Sequence, residues 1–413
     1  MSTEYEIAAG RIDITPTAPI ALAGYRAHRK PTFDSIADGL EANVVVIRAR
    51  GEIAVFASLD LLYVGSYISE HVLKTLECRV PRERIFLAAT HTHYAPATEE
   101  SLPALGDVST PYREFVARRL VELIDDLLDE VGSPATITYH EIKVAQSVNR
   151  RVRRFSVGRH YPYVGVRTVI APNESGERDD VVRVLVLRAQ DDRILAIGWS
   201  YACHPNTFPE RDSVSSEYPG RVRQTLRRRM GDIPILFWQG FAGNINPFGY
   251  ASGEAGHDRP PHSFFVPSAW QWTDWCDRLA HAVSRIVTES GLAVRGAIEC
   301  RVRSMNVSEL GPKSGKKLVC RTVGFGGDLT ICGLSAEVVA EYVAPVRSAL
   351  PATAVIPVSC IEDVYGYLPV GDMVAQGGYE ADGFMARFGL HGRFRRDVHE
   401  LIINRLLDGG HAG

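Results

Sequence analysis

The residues best suited to chemistry are two histidines in Arg84-Ile-Phe-Leu-Ala-Ala-Thr-His-Thr-His-Tyr-Ala-Pro96. The apolar run Ile85–Ala89 stops at Thr90-His91-Thr92-His93, and Pro96 closes the segment, so the run reads as a buried strand ending in polar residues. Two imidazoles just past a strand end suit a metal, because neutral imidazole is a common ligand for zinc and its neighbours. They equally suit proton transfer near pH 7. The competing reading is structural, with one histidine capping the strand and the other hydrogen-bonded in the core.

Such residues need a frame, and the chain repeats one. Asn43–Arg50 and Glu52–Ser58 form a hairpin over Arg50-Gly51-Glu52 that ends near Asp60, and an amphipathic helix, about Tyr67–Cys78, leads to the strand before His91. Val181–Arg188 and Ile194–Ser200 repeat the hairpin over Gln190-Asp191-Asp192, followed by His204 and a helix at about Tyr218–Met230. The strand Pro234–Trp238 then enters Gly243-Asn244-Ile245-Asn246-Pro247. A third unit has Lys317–Val323 and Asp328–Cys332 around Gly324–Gly327, with Glu337 opening a helix to about Leu350. Its strand, Ala354–Cys360, leads to Tyr365-Gly366-Tyr367. This order predicts a mixed α/β fold of hairpin–helix–strand units flanked by helices, with the active site at strand ends, where loops converge on a rigid sheet. The ligand types His91, His204 and Glu337 then make a His₂Glu set that leaves a coordination position for water.

Other segments read as support. Residues 7–24 form a strand running into a Pro-containing turn, and 25–39 a polar loop bearing Tyr25, Arg26, His28 and Arg29. Pro111–Glu130 is a structural amphipathic helix, and Trp270, Trp272 and Trp275 open another as packing residues. The Gly/Pro/His-rich stretch 248–268 is long enough to be a lid or binding loop. A helix closes the chain at Leu401–Leu407, and 1–413 reads as a single catalytic domain.

Composition narrows the partners. The 413 residues are 45% hydrophobic and 23% charged, with net charge −3, which gives no general attraction to nucleic acid or anionic membrane. Seven scattered cysteines without a CxxC pair point to a reducing compartment. The N-terminus lacks an apolar signal core and no run has the roughly 18–20 apolar residues of a membrane span. A cytoplasmic protein without stable membrane association, acting on a small molecule, is expected; its oligomeric state is not written in the sequence.

Ala89-Thr-His-Thr-His93, Cys203-His-Pro205, Gly243-Asn-Ile-Asn-Pro247, Asn149-Arg150 and Asp13-Ile-Thr-Pro16 together resemble the neutral/alkaline, non-lysosomal ceramidase family over about residues 7–390. The resemblance implies a catalytic zinc held by His91, His204, Glu337 and Tyr367, with Tyr365 the competing tyrosine and Tyr379-Glu380 matching a later Tyr-Glu pair. It places His93, Asn149 and Arg150 near the scissile amide. The chain also departs from the family: Asn246 stands where the family has a serine proposed to act in cleavage, and a protein without the family's secretion signal and C-terminal immunoglobulin-like domain is expected.

The implied chemistry is zinc-dependent hydrolysis of a C–N amide bond by metal-activated water, which needs no serine. His93 would shuttle the proton or orient His91. Arg150 would steady an oxyanion or a substrate carboxylate, while Arg151, Arg153 and Arg154 read as a solvated face. Asn246 would donate in an oxyanion hole or close a turn before Pro247. Asp60 would hydrogen-bond a ligand imidazole. A small, polar or anionic amide is expected. Ceramide-type lipid amides, esters or lactones, and lyase chemistry are the alternatives on the same site, and a non-catalytic binding protein is the contrasting class.

Overall fold

The computed structural model describes residues 5–25, 29–157, 164–247 and 264–407. Two glycine-assisted turns explain two of the sharpest chain reversals. Arg50 and Gly51 (φ 54° and 83°), and Gly326 and Gly327 (φ 55° and 85°), carry the paired positive φ values of two-residue hairpin turns. Asp192 (φ 65°) serves the third hairpin.

Each hairpin belongs to a four-stranded unit of one topology. The first has β1 (Tyr5–Asp13), β2 (Glu41–Ala49) and β3 (Glu52–Leu59) antiparallel in series, then helix α1 (Ser66–Thr75) and β4 (Ile85–Ala89) parallel to β3. After α2 (Thr110–Asp129) the second begins with β5 (Ser133–Lys143). An inserted hairpin, β6 (Ser147–Val157) and β7 (Val164–Asn173), interrupts it. It resumes with β8 (Val181–Ala189), β9 (Ile194–Tyr201), α3 (Glu217–Met230) and β10 (Ile235–Gln239), with β10 parallel to β9. A short strand β11 (Ile245–Pro247) pairs with β6, and α4 (Ala269–Ile286) and β12 (Leu292–Val294) follow. The third unit is β13 (Ile298–Asn306), β14 (Lys317–Phe325), β15 (Leu329–Leu334) and, beyond a short strand β16 (Glu337–Val338) and α5 (Val343–Ala349), β17 (Ala354–Val358) parallel to β15. β18 (Tyr367–Leu368) pairs with β16. The expected repeat is therefore real, and each unit has a leading strand (β1, β5, β13) as well as its hairpin.

The first two units join through β1 and β5 into one sheet, ordered β10-β9-β8-β5-β1-β2-β3-β4, with β12 beside β5. The third forms its own four-stranded sheet. The two sheets face each other: Val45, Phe56, Phe86, Leu187 and Trp238 pack with Val323, Ile331 and Ile356. Helices cover the far face of the large sheet, with Val72, Val116 and Leu120 on Val44, Val55 and Ala57, and Tyr218, Trp275 and Leu279 on Val184 and Trp199. Strands covered on both faces lose the polar alternation of a half-exposed strand, and β2 and β8 are buried continuously from Val44 to Ile47 and from Val182 to Leu187. Burying each such side chain contributes about 1.5–3 kcal/mol. Trp272 and Trp275 pack in this core as expected, whereas Trp270 is exposed. No described helix is long and apolar enough to cross a membrane.

Candidate metal centre

The repeat brings ligand-type residues to one place. The third residue past the second hairpin strand is Leu62, His204 or Glu337 in the three units; the second residue past the parallel strand is His91, Phe241 or Cys360. His91 and Cys360 both adopt positive φ (67° and 58°), a conformation that is strained for non-glycine residues and turns their side chains sharply off the strand.

Three of these side chains meet. His91 Nε2 lies 3.3 Å and His204 Nε2 3.1 Å from the same carboxylate oxygen, Oε2 of Glu337. Each imidazole is fixed through its other nitrogen. Nδ1 of His91 faces the Leu62 carbonyl at 3.1 Å, and Nδ1 of His204 faces the carbonyls of Ala242 (2.7 Å) and Ile245 (3.1 Å). A carbonyl can only accept, so each Nδ1 carries a proton, and each imidazole in its neutral form presents an Nε2 lone pair. Two Nε2 atoms and a carboxylate oxygen thus converge in a buried space, where a proton on an imidazole or a bound cation can balance the carboxylate charge. The remaining oxygen of Glu337, Oε1, accepts a 2.5 Å hydrogen bond from Tyr63.

Charge follows from the crowding. Burial opposes a charge on His91, but Cys360, 3.5 Å away, and the Glu337 carboxylate outweigh it and hold the imidazole well above its usual range. Burial would raise Glu337, yet His91 and His204 hold it well below the usual carboxylate range. His204 is pushed down to about 4 by burial and by Arg150. Among protein groups alone, a proton on His91 supplies the charge that Glu337 demands.

His93 sits beside this set. One of its nitrogens lies with one each of His91 and His204 in a group whose three ligand atoms are all within 4.8 Å of one another, a spacing that can hold a metal ion. Both ring nitrogens of His93 are buried and unpartnered among the described residues, although the residue keeps some exposed surface. Its ring packs against Tyr25 (4.9 Å between centroids) and edge-on to His91 (5.0 Å). Burial first, then the neighbouring His91 and His204, hold it well below the usual histidine range.

Arg150 forms the second wall. It is buried at the base of β6, where its guanidinium donates to Glu380 Oε1 (2.7 Å), Asn246 Oδ1 (3.3 Å) and the Tyr367 hydroxyl (3.3 Å). Asn246 lies in β11 with its Oδ1 turned to Arg150, rather than in a turn. Tyr367 is paired in register with Glu337, while the Tyr365 hydroxyl is buried in the core without a hydrogen-bond partner. The structure therefore brings Tyr367, not Tyr365, to the centre. The Arg150 guanidinium also lies 5.7 Å from the ring centroids of both Tyr367 and Tyr379.

Several expectations are corrected. Glu337 does not open a helix: it lies in β16, because backbone pairing with β18 outcompetes the local helical pattern. Arg151 is not on a solvated face: it is buried and donates to Glu380 Oε2 at 2.6 Å, whereas Arg153 is exposed. Asp60 touches no ligand imidazole. It accepts from Arg223 of α3 (2.6 and 3.2 Å) and from the Glu41 backbone, pinning that helix to the sheet. Tyr63 and Cys360 were not picked out from the sequence; their only signal is their place at strand ends. Arg26, His28 and the loop 248–263 lie outside the described residues.

A cavity of about 690 Å³ opens beside the centre. Its wall is part aromatic (Tyr25, Tyr94, Phe208, Phe265) and part polar (Asn206, Asn246).

No family model matches the sequence, and no curated protein matches it. Solved structures do. The crystal structure of the neutral ceramidase from Pseudomonas aeruginosa is similar with a TM-score of 0.78 over 98% of this chain and 74% of that one, at 15% identity. A ceramidase complexed with C2 is similar with a TM-score of 0.76 over 98% of this chain and 75% of that one, at 16% identity. The chain thus has the mixed α/β fold of neutral ceramidase structures, as the Ala89-Thr-His-Thr-His93 resemblance implied.

Proposed function

We propose that the protein is a zinc-dependent hydrolase that cleaves the C–N bond of a small, polar or anionic amide. One observation carries this reading: two Nε2 lone pairs and a carboxylate oxygen converge within 3.3 Å, each from a different structural unit. His91, His204 and Glu337 would hold the ion, with Tyr367 on the remaining protein side. Zinc bound there would supply Lewis-acid polarisation of a carbonyl and would acidify a water molecule toward about pH 7. His93, neutral and with both ring nitrogens unpartnered, takes a proton and returns it to the leaving nitrogen. Arg150 presents its charge to the carbonyl oxygen, and Asn246, held through Oδ1, helps position it. No serine is needed in this scheme. The seven unpaired cysteines support a cytoplasmic location.

A second reading, a lipid amide of the ceramide type, is favoured by the aromatic part of the cavity wall and by the fold shared with ceramidases. Elemental analysis tests the first element of both: the wild type should retain close to one transition-metal ion, and His204→Ala and Glu337→Ala should retain none while staying soluble. A wild type that neither holds metal nor responds to added metal overturns the hydrolase. Hydrolysis of short N-acyl amides against ceramide in mixed micelles then separates the two substrates.

A further inference from the structure

A buried guanidinium nearly always meets an acceptor, because desolvating its charge without one is costly. Among the described residues Arg29 meets none. Its Nε, Nη1 and Nη2 are all buried and have no hydrogen-bond partner there. The group is held instead by aromatic faces, 4.8 Å from the Tyr94 ring centroid and 5.5 Å from that of Tyr25. Cation–π contacts steady the charge but consume none of its five N–H donors. Asp212 lies near enough to favour the charge, yet its carboxylate accepts from the Lys30 backbone at 3.2 Å, while the Lys30 ammonium pairs with Asp34. Arg150, a buried cation nearby, has three of its N–H groups donating to Glu380, Asn246 and Tyr367.

Position gives the spare donors a use. Tyr25 and Tyr94, which carry Arg29, both line the 690 Å³ cavity, and the Tyr25 ring also packs on His93. Tyr25 therefore contacts both the His93 imidazole and the unsatisfied guanidinium, and Arg211 adds positive charge to the same wall. A planar fork of N–H groups matches an oxyanion better than any neutral group.

We infer that Arg29 is the specificity-determining receptor for an oxyanion, carboxylate or phosphate, carried by the substrate, so that the amides hydrolysed are anionic ones. This rests on the reading of the cavity as the substrate site of the metal-centred hydrolase. The test is a binding measurement that needs no turnover. N-butyrylglycine, its uncharged primary amide and N-butyryl aminomethylphosphonate are titrated calorimetrically into wild type, Arg29→Gln and Arg29→Lys, with chelator and with zinc. In wild type an oxyanion probe should bind at least about 10-fold tighter than the neutral amide, the usual scale of one charge-assisted pair. Arg29→Gln should erase that ratio and Arg29→Lys keep part of it; comparing carboxylate with phosphonate identifies the oxyanion. Because no described residue accepts from its donors and only the two cation–π contacts are lost, Arg29→Gln should lower the Tm of the ligand-free protein by no more than about 2 °C. An unchanged ratio in Arg29→Gln, no preference for either charged probe in wild type, no binding of any probe, or a Tm lowered by several degrees each overturns the inference. The metal analysis above is independent: loss of metal binding with an Arg29-dependent ratio sinks the hydrolase alone, and the reverse sinks the anion receptor alone.

Discussion

Tyr63 and Gly24 act on the centre without belonging to the His₂Glu set. The Tyr63 hydroxyl occupies Glu337 Oε1 and leaves Oε2 aimed at the two imidazoles. Tyr63→Phe removes a short hydrogen bond to a buried carboxylate oxygen, so the carboxylate loses part of what fixes its orientation. Metal affinity should fall 10–100-fold, the usual effect of removing a group that orients a ligand, with little change in fold. Competition with a chromophoric chelator measures it, and an unchanged affinity would remove Tyr63 from this role. Gly24 touches His93 instead: a Cβ there would lie 2.5 Å from His93 Nδ1, at a backbone φ of +97° that other residues avoid. Gly24→Ala should displace the imidazole and lower kcat by roughly 100-fold, the scale of general acid–base catalysis, while metal content stays at the wild-type level. Loss of metal in this variant would mean that His93 is a ligand and that another group carries the proton.

At the scale of elements, α3 is where local strain and electrostatics concentrate. Glu217 at its first turn is fully buried and has φ 57°, and its carboxylate accepts from the backbone N–H of Thr207 and Tyr218. It thereby ties the loop after His204 to the helix. Burial, only partly offset by those hydrogen bonds, raises its pKa from 4.5 to about 7. The folded state then binds this proton more tightly than the unfolded state. The associated stability is present below about pH 4.5 and is lost as pH rises to about 7, amounting to roughly 3 kcal/mol. Denaturant unfolding at pH 5 and pH 8 should show Glu217→Gln gaining on the wild type by up to that amount at the higher pH. A difference independent of pH would mean that Glu217 is already ionised throughout. Elements such as α3 were legible in the sequence because their apolar spacing and strand-breaking neighbours act locally. Glu337 was misassigned because Glu337-Val-Val-Ala-Glu-Tyr342 has a helical pattern, and only the partner strand at Tyr367, thirty residues on, decides otherwise. Arg151 was misread for the same kind of reason: its partner, Glu380, is remote in sequence.

Across the whole molecule, the three units were visible as a recurring order of hairpin, helix and strand. Their leading strands were not, since nothing local joins Tyr5–Asp13 or Ser133–Lys143 to hairpins that begin further along the chain. The site was legible to the extent that it follows from the repeat: strand ends of equal rank supply His204 and Glu337, and a third supplies His91. The inserted hairpin that delivers Arg150 breaks the repeat and had to be seen in three dimensions. This architecture has a thermodynamic consequence. His91 and His204 come from the two halves of the large sheet, and Glu337 from the connection between β15 and β17 of the small one, so an ion bound by all three would add a cross-link to units that also meet through apolar contacts at the sheet–sheet face and through backbone hydrogen bonds such as Ser359 N–H to Gln239 O. A ligand that binds only the folded state stabilises it by about 4 kcal/mol when present at a thousandfold excess over Kd. For a chain of this size that corresponds to a Tm shift of about 5 °C. Chelation should therefore lower the wild-type Tm by several degrees, and zinc should restore it. Glu337→Ala, lacking the shared carboxylate, should melt at the same temperature with and without chelator. If chelator shifts that variant as much as the wild type, the stabilising ion sits elsewhere and the three units are not joined through this centre.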